Sequence, residues 1–208
     1  MALLRASLSA LRSGVKSALI APLGALLLAG CGGSEPSASA PFTAEDLAGQ
    51  WASPGCENGG SFFYTRAFTL TEATWAITFR VFGDEACTFA LATVEIDGGY
   101  TLGEVDGDSR EADFARGRVR ATAHVADMAT AFTGAACGAE AWEVDVIQDI
   151  SSTGCAPLGA EPVSTCPTEH DRVRLEDDAL FFGDRSGGMC DAEKRTTTLQ
   201  TTPVVRQG

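Results

Sequence analysis

Acid–base chemistry needs an ionisable base beside acids, and the sequence offers this at residues 169–171. Glu169, His170 and Asp171 follow one another shortly after Pro167. An imidazole beside carboxylates is the raw material of general acid–base catalysis. However, no G-x-S-x-G motif accompanies them, and the members of a catalytic triad are seldom sequence neighbours. We therefore predict a solvated turn here and no enzyme, with a hydrolase that uses His170 as the least favoured alternative.

A second cluster has the spacing of a calcium-binding loop. Glu104, Asp106 and Asp108 match its first three ligand positions, but Ser109 replaces the required glycine and Ala115 the final glutamate. The pattern therefore predicts no metal site, and no other motif in the sequence indicates a cofactor.

The cysteines are the third set of reactive residues, and Cys31 stands apart from the rest. Three basic residues and no acid precede an apolar run, 18–28, which is shorter than the roughly 20 residues of a membrane span. The sequence Leu28-Ala29-Gly30-Cys31 then resembles the lipobox of bacterial lipoproteins, in which the cysteine is lipidated and becomes the new N-terminus. We predict a lipoprotein signal over 1–30 and an acyl chain such as palmitate on Cys31. The alternative is an ordinary signal peptide with cleavage near Ala29.

The other six cysteines form an even set in an exported chain, which favours disulfides. They are Cys56, Cys87, Cys137, Cys155, Cys166 and Cys190. A zinc site is not indicated, because no C-x₂-C pair occurs and His124 and His170 lack ligand spacing. Gly32 follows Cys31 in place of the aspartate associated with inner-membrane retention, so the predicted location is the cell envelope, at the outer membrane.

The charge balance is strongly acidic. The full chain has 15 basic and 28 acidic residues, for a net charge of −13. Three of the basic residues lie in the predicted signal, so the mature part is more acidic still. Such a surface repels nucleic acid, and we predict no nucleic-acid partner.

The elements that position these residues are predicted to be strands. Residues 31–42 read as the lipidated cysteine and a flexible tether, and 43–206 as a single domain. Alternation over 62–71, 75–82, 88–96 and 142–147 predicts strands. Turn signals occur at Gly83-Asp84, Asp97-Gly98-Gly99 and Asp106-Gly107. The predicted fold is all-β, an antiparallel lipocalin-like barrel or half-barrel stapled by disulfides.

Aromatic side chains are the strongest indication of function. A small barrel is filled by its side chains, whereas a slightly wider one encloses a ligand cavity. Small residues beside the aromatics leave room for a cavity, although alternation does not distinguish the two cases. Alternation selects six candidate wall residues: Trp75, Ile77, Phe79, Phe89, Leu91 and Trp142.

The stretch Leu47-Ala-Gly-Gln-Trp-Ala-Ser-Pro-Gly-Cys-Glu57 resembles the opening of the adenomatosis polyposis coli down-regulated one family. The animal members are membrane-anchored antagonists of Wnt signalling. Cys137-Gly138, Trp142, Gly154-Cys155 and the stretch 194–200 continue the resemblance in the same order, over about 47–206. Thr196 departs from the family by replacing a proline, and this chain has one domain where the animal proteins have two.

The resemblance implies a barrel-like domain with an apolar cavity for a lipid chain. It also implies a pairing: Cys166 and Cys190 look additional to the family pattern and would bond each other, leaving Cys56–Cys87 and Cys137–Cys155. Trp51 would pack on Arg195 in a structural cation–π contact. Wnt antagonism itself does not carry over to a bacterial lipoprotein.

The sequence thus predicts a non-enzymatic, lipid-anchored envelope protein whose barrel binds a hydrophobic ligand such as an acyl chain. Its expected partners are the membrane, through the N-terminal lipid, and a lipid or acylated ligand. The alternative is a surface module with a filled barrel, whose loops bind another envelope protein or a glycan.

Overall fold

The computed structural model describes residues 42–138, 140–185 and 187–208. The predicted signal (1–30), Cys31 and the tether up to residue 41 lie outside the described residues. Within the described ranges the chain forms two α-helices, α1 Ala44–Leu47 and α2 Ala126–Gly134. It also forms eleven strands: β1 Gly49–Ala52, β2 Glu57–Asn58, β3 Phe63–Leu70, β4 Thr74–Phe82, β5 Ala90–Asp106, β6 Ser109–Ala115, β7 Arg118–Ala123, β8 Ile147–Asp149, β9 Thr168–Glu176, β10 Ala179–Phe182 and β11 Val204–Arg206.

Eight strands close an antiparallel barrel. The order around the wall is β1, β3, β4, β5, β6, β9, β10 and β11, and β11 pairs with β1 to complete the ring. The period-two pattern is visible in β3, where Arg66, Phe68 and Leu70 are buried and the residues between them are exposed. The prediction of an all-β, antiparallel, disulfide-stapled barrel is confirmed.

The long strand β5 changes partner halfway along its length. Residues 92–97 pair with β7, whereas 100–106 pair with β6. At the change, a Cβ atom on Gly98 would collide with the carbonyl oxygen of Ala115, so the close approach of the two chains requires glycine. The turn predicted at Asp97-Gly98-Gly99 is wrong, because β4 stays paired with β5 through Gly99 and the chain only bends.

Two hydrophobic clusters lie on the two sides of this bend. One fills the barrel at the end formed by α1 and the turns that follow β3 and β9, which we call the closed end; it contains Leu47, Trp51 and Phe68. The other lies between α2 and the strands β5 and β7, and it includes Val94 of β5. Trp142 belongs to this second cluster, with its ring 4.9 Å from Phe132 between centroids.

The closed end is held by an arginine other than the predicted one. The guanidinium of Arg206 lies 4.1 Å from the Trp51 ring centroid and donates to the carbonyl oxygens of Ala48 and Asp46. The predicted Trp51–Arg195 contact is therefore wrong. Because β11 pairs with β1, Arg206 stands directly opposite Trp51, while Arg195 instead donates to the Asp171 carbonyl oxygen at 2.8 Å.

Three disulfides join the elements, and their pairing is the one that the resemblance implies. They link Cys56 to Cys87, Cys137 to Cys155, and Cys166 to Cys190. The third connects two loops at the barrel end opposite α1, which we call the mouth.

The strand predicted over 142–147 is not formed, apart from the first residue of β8. Asp145 has a φ of 63°, a left-handed conformation that interrupts an extended chain. The alternating residues Val144 and Val146 are both exposed. Trp142 is held by its own contacts, since its indole N–H donates to the Cys137 carbonyl oxygen at 2.7 Å.

Candidate functional site

The barrel interior opens at the mouth into a pocket of about 490 Å³. Ligand-binding pockets commonly span roughly 300–1,000 Å³, so this volume suits a small ligand or part of a chain. The inner faces of β4 and β5 form one side, and segments 158–161 and 187–190 contribute to the rest. We call this cavity the mouth pocket.

Aromatic rings fill the barrel below the mouth pocket. The Trp75 ring lies 5.0 Å from that of Phe114, and Phe114 lies 6.0 Å from Phe182. Phe68 stacks on Phe182 at 4.5 Å. The indole N–H of Trp75 donates to the Ala115 carbonyl oxygen at 2.8 Å, so the ring has no unpaired polar atom. The barrel is therefore packed towards its closed end and open at its mouth.

The apolar wall of the mouth pocket comes from two adjacent strands. Trp75, Ile77 and Phe79 follow one another along β4, and Val94 and Ile96 face them from β5. Residues two apart in a strand point to the same side, which is why these five share one surface. Three of the six predicted wall residues are thus brought together in one pocket.

The other three predicted wall residues do not line this pocket. Phe89 is 55% exposed, and Trp142 belongs to the cluster beside α2. In the β4–β5 pairing, Val81 is opposite Ala92 but Phe82 is opposite Ala90, so Leu91 is the extra residue of a bulge. The bulge reverses the alternation, and Val94 and Ile96 take the inward positions that Phe89 and Leu91 were predicted to hold.

A group of charged side chains accompanies the apolar wall. Arg116, Glu169 and Arg185 line the mouth pocket, and Asp171 lies directly behind them. Glu169 lies between two guanidinium groups, with Oε1 3.8 Å from Arg116 Nε and Oε2 3.3 Å from Arg185 Nη2. Arg116 also donates to the carbonyl oxygens of Cys166 and Glu161, which ties the overlying loop to the barrel. We call these four residues the charged group.

Asp171 is the most deeply buried member of the charged group. Its Oδ1 accepts hydrogen bonds from the backbone N–H groups of Arg172 and Gly183, at 2.7 and 2.9 Å. Its Oδ2 has no hydrogen-bond partner and lies 3.9 Å from Arg185 Nη2. Burial raises the pKa of Asp171 above its ordinary value, although Arg185 and the two N–H groups act in the opposite direction.

The predicted solvated turn at residues 169–171 is wrong. These residues belong to β9, where Glu169 and Asp171 point into the barrel opposite Phe114 and Ala112 of β6. His170 points to the other face, with Nδ1 2.8 Å from Asp113 Oδ1. The alternation of residues 169–175 could have revealed this arrangement, but charged side chains on an inward face hide the usual signal.

Another row of polar side chains, which was not predicted from the sequence, joins Thr93 of β5, His124 just after β7, and Asp145. Thr93 Oγ1 lies 2.8 Å from His124 Nε2, and His124 Nδ1 lies 2.7 Å from Asp145 Oδ1. The order of hydroxyl, imidazole and carboxylate is that of a catalytic triad. However, Asp145 is highly exposed and none of the three lines the mouth pocket. The row therefore lacks the concave surface that would hold a substrate.

Another depression, of about 620 Å³, lies at the closed end of the barrel. Its lining comes from the β5–β6 and β9–β10 turns and includes Asp108, Arg110 and Arg174. Ion pairs cross this surface, such as Arg174–Asp108 at 3.2 Å. The depression lacks a continuous apolar wall, so the mouth pocket is the better candidate site.

No family model matches the sequence, and no curated protein matches it. Among the described residues, none of the helices combines the length and apolar character needed to cross a membrane. The same part of the chain contains no group of three or more His, Cys, Asp or Glu side chains placed to hold a metal ion.

Proposed function

We propose that this chain is a non-enzymatic, lipid-anchored protein of the cell envelope whose mouth pocket binds an acyl chain. The observation that carries the proposal is an apolar pocket of about 490 Å³ at the open end of a barrel that is otherwise filled. Burial of methylene groups would drive binding at about 0.8 kcal/mol each. Eight methylenes would therefore contribute about 6 kcal/mol before the costs of ordering the ligand.

The sequence supports the anchoring part of the proposal. The lipobox-like Leu28–Cys31 segment and the tether place a lipidated Cys31 close before the barrel, and Gly32 favours the outer membrane. The resemblance to the adenomatosis polyposis coli down-regulated one family supports lipid binding, since that family's barrel is the one expected to hold a lipid chain.

Native mass spectrometry tests the ligand. The chain would be produced from residue 32 in an oxidising compartment, because the described residues 42–208 belong to one compact unit with its own cores and disulfides. We expect an adduct with the mass of a fatty acid or phospholipid that is lost on denaturation. A bare mass that stays unchanged after incubation with lipids would contradict the proposal.

A matched pair of substitutions locates the bound chain. Phe79→Ser removes a ring from the pocket wall, whereas Phe89→Ser removes an exposed ring outside it. Loss of the Phe79 ring should weaken binding by about tenfold or more, because burial of such a side chain contributes roughly 1.5–3 kcal/mol. Phe89→Ser should leave the adduct unchanged, and equal losses in both variants would show that the chain binds elsewhere.

A second candidate function rests on an exposed apolar patch beside β8. Val144, Val146 and Ile147 are all exposed and follow one another along the chain. Such a patch suits contact with another envelope protein. If the mouth pocket proves empty, charged substitutions at Val144 and Ile147 would test this surface by loss of a cross-linked partner.

A further inference from the structure

We propose that the mouth pocket selects amphiphiles with an anionic head group, a carboxylate or a phosphate, which the Arg185 guanidinium binds. The inference rests on the proposed function, since it concerns the head of the molecule whose chain occupies the apolar wall. It starts from the charged group, which an apolar ligand alone would not require.

Within the charged group, the accessible charge is positive. The Arg185 side chain is 42% exposed, whereas those of Glu169, Arg116 and Asp171 are 11%, 3% and 0% exposed. A ligand head that enters from solvent therefore meets the guanidinium first. A guanidinium offers several N–H donors in a planar fork, which suits two oxygens of a carboxylate or phosphate.

The two carboxylates of the charged group are already engaged or hidden. Glu169 shares its charge between Arg116 and Arg185, so a ligand cation would have to compete with two guanidinium groups. Asp171 is fully enclosed, and burial raises its pKa, which favours the neutral carboxyl group. Glu161 is exposed and also lines the mouth pocket, so an anionic head must bind Arg185 in the presence of this carboxylate.

The backbone before Arg185 is paired with residues 198–199. Gly183 pairs with Leu199, and the N–H of Asp184 donates to the Thr198 carbonyl oxygen at 2.9 Å. Further along, Cys190 is joined to Cys166, and both sulfur-bearing residues line the same pocket. A paired strand end and a disulfide thus both lie beside the pocket that the Arg185 guanidinium lines.

Three polar atoms of the charged group are buried and lack a hydrogen bond within the described part of the protein. They are Glu169 Oε2, Asp171 Oδ2 and Arg116 Nε, and the two carboxylate oxygens lie 3.3 and 3.9 Å from Arg185 Nη2. Unpaired buried polar atoms are costly, and they mark places where a ligand or water completes the network. The two carboxylate oxygens are acceptors, so water, which can donate to them, would complete this network rather than the anionic head itself.

The test compares four ligands that share one chain and differ in the head. Lauric acid, dodecyl phosphate, dodecanol and dodecylamine would compete with a neutral fluorescent probe for the wild-type protein. We expect laurate, dodecyl phosphate or both to bind about tenfold or more tightly than dodecanol, because a charged head forms stronger hydrogen bonds with a guanidinium than a hydroxyl does. The ratio of the first two identifies which anion the pocket prefers.

The variant Arg185→Gln assigns the preference to one side chain. It should reduce the affinity for the anionic ligands by about tenfold while leaving that for dodecanol unchanged, which also shows that the variant is folded. Arg174→Gln is the matched control, since Arg174 lies over the Phe181 ring and outside the mouth pocket.

The outcomes separate this inference from the proposed function. Equal binding of all four ligands, or tightest binding of dodecylamine, would overturn the head-group inference while acyl-chain binding stands. An anion preference that survives Arg185→Gln would overturn the assignment to this residue. If none of the four ligands binds, the proposed function itself fails.

Discussion

At the scale of single residues, Asp171 shows how a carboxyl group can be buried inside this barrel. It is a carboxyl group in a fully enclosed position, retained because its Oδ1 accepts from the N–H groups of Arg172 and Gly183. Those two backbone groups would otherwise be buried without an acceptor, at a cost of roughly 1–3 kcal/mol each. The presence of an acceptor oxygen is therefore more important here than its negative charge.

This difference predicts opposite results for two substitutions. Asp171→Asn keeps an oxygen for both N–H groups and should be at least as stable as the wild type at neutral pH. Asp171→Ala removes the acceptor and should be less stable by about 2–4 kcal/mol. Urea unfolding at neutral pH measures both, and equal destabilisation would show that the ionised carboxylate itself is required.

The same residue predicts how stability depends on pH. Burial raises the folded-state pKa of Asp171 above the value of 3.8 expected for an unfolded chain. A group with a raised pKa contributes its full stabilisation to the fold at pH values below its unfolded-state pKa. This contribution is lost as the pH rises through its folded-state pKa. Asparagine does not titrate, so Asp171→Asn should gain stability relative to the wild type between about pH 4 and neutral pH. A constant difference across that range would contradict the raised pKa.

At the scale of elements, the Cys166–Cys190 disulfide joins two loops that both line the mouth pocket. Its removal by Cys166→Ser with Cys190→Ser should lower the free energy of unfolding by about 3 kcal/mol and accelerate ligand exchange, because the loops are then free to separate. Cys56→Ser with Cys87→Ser is a matched control, since that bridge spans 31 residues rather than 24 and neither cysteine lines the pocket. Stopped-flow displacement of the probe should show faster release in the first variant alone.

Elements also show what alternation could and could not predict. The β3–β4 hairpin follows its pattern from Phe63 opposite Phe82 to Leu70 opposite Trp75, so the fold class was predictable. The change of phase from Phe89 and Leu91 to Val94 and Ile96 indicates a bulge, but it does not say which phase faces inward, because a single extra residue reverses every side chain beyond it. That one residue decided whether Phe89 or Val94 faced the pocket.

Contacts between residues far apart in the sequence were harder to predict, because they depend on how distant strands pair. Arg195 and Arg206 are both late arginines, and local sequence does not distinguish them. The register of β11 against β1 puts Arg206 opposite Trp51. Likewise, Glu169 reached the pocket because β9 pairs with β6, and sequence spacing held no signal that Arg185 would meet it there.

For the whole molecule, the cysteine count connects the fold to its proposed place in the cell. The three disulfides use six of the seven cysteines, so the barrel does not require Cys31. Residue 31 is therefore available for a lipid without disturbing any bridge in the described part of the chain. A second membrane contact through surface charge is disfavoured, because a net charge of −13 repels anionic head groups.

Anchoring should consequently depend on that single side chain. Cys31→Ser should move the protein from the membrane fraction to the soluble envelope fraction, with its three disulfides and its unfolding free energy unchanged. Cys190→Ser is the contrasting variant: it should stay with the membrane while losing stability, because it breaks the Cys166 bridge and leaves the lipid in place. If Cys31→Ser still fractionates with membranes, the barrel or a partner holds the protein there, and the exposed Val144–Ile147 patch becomes the surface to examine.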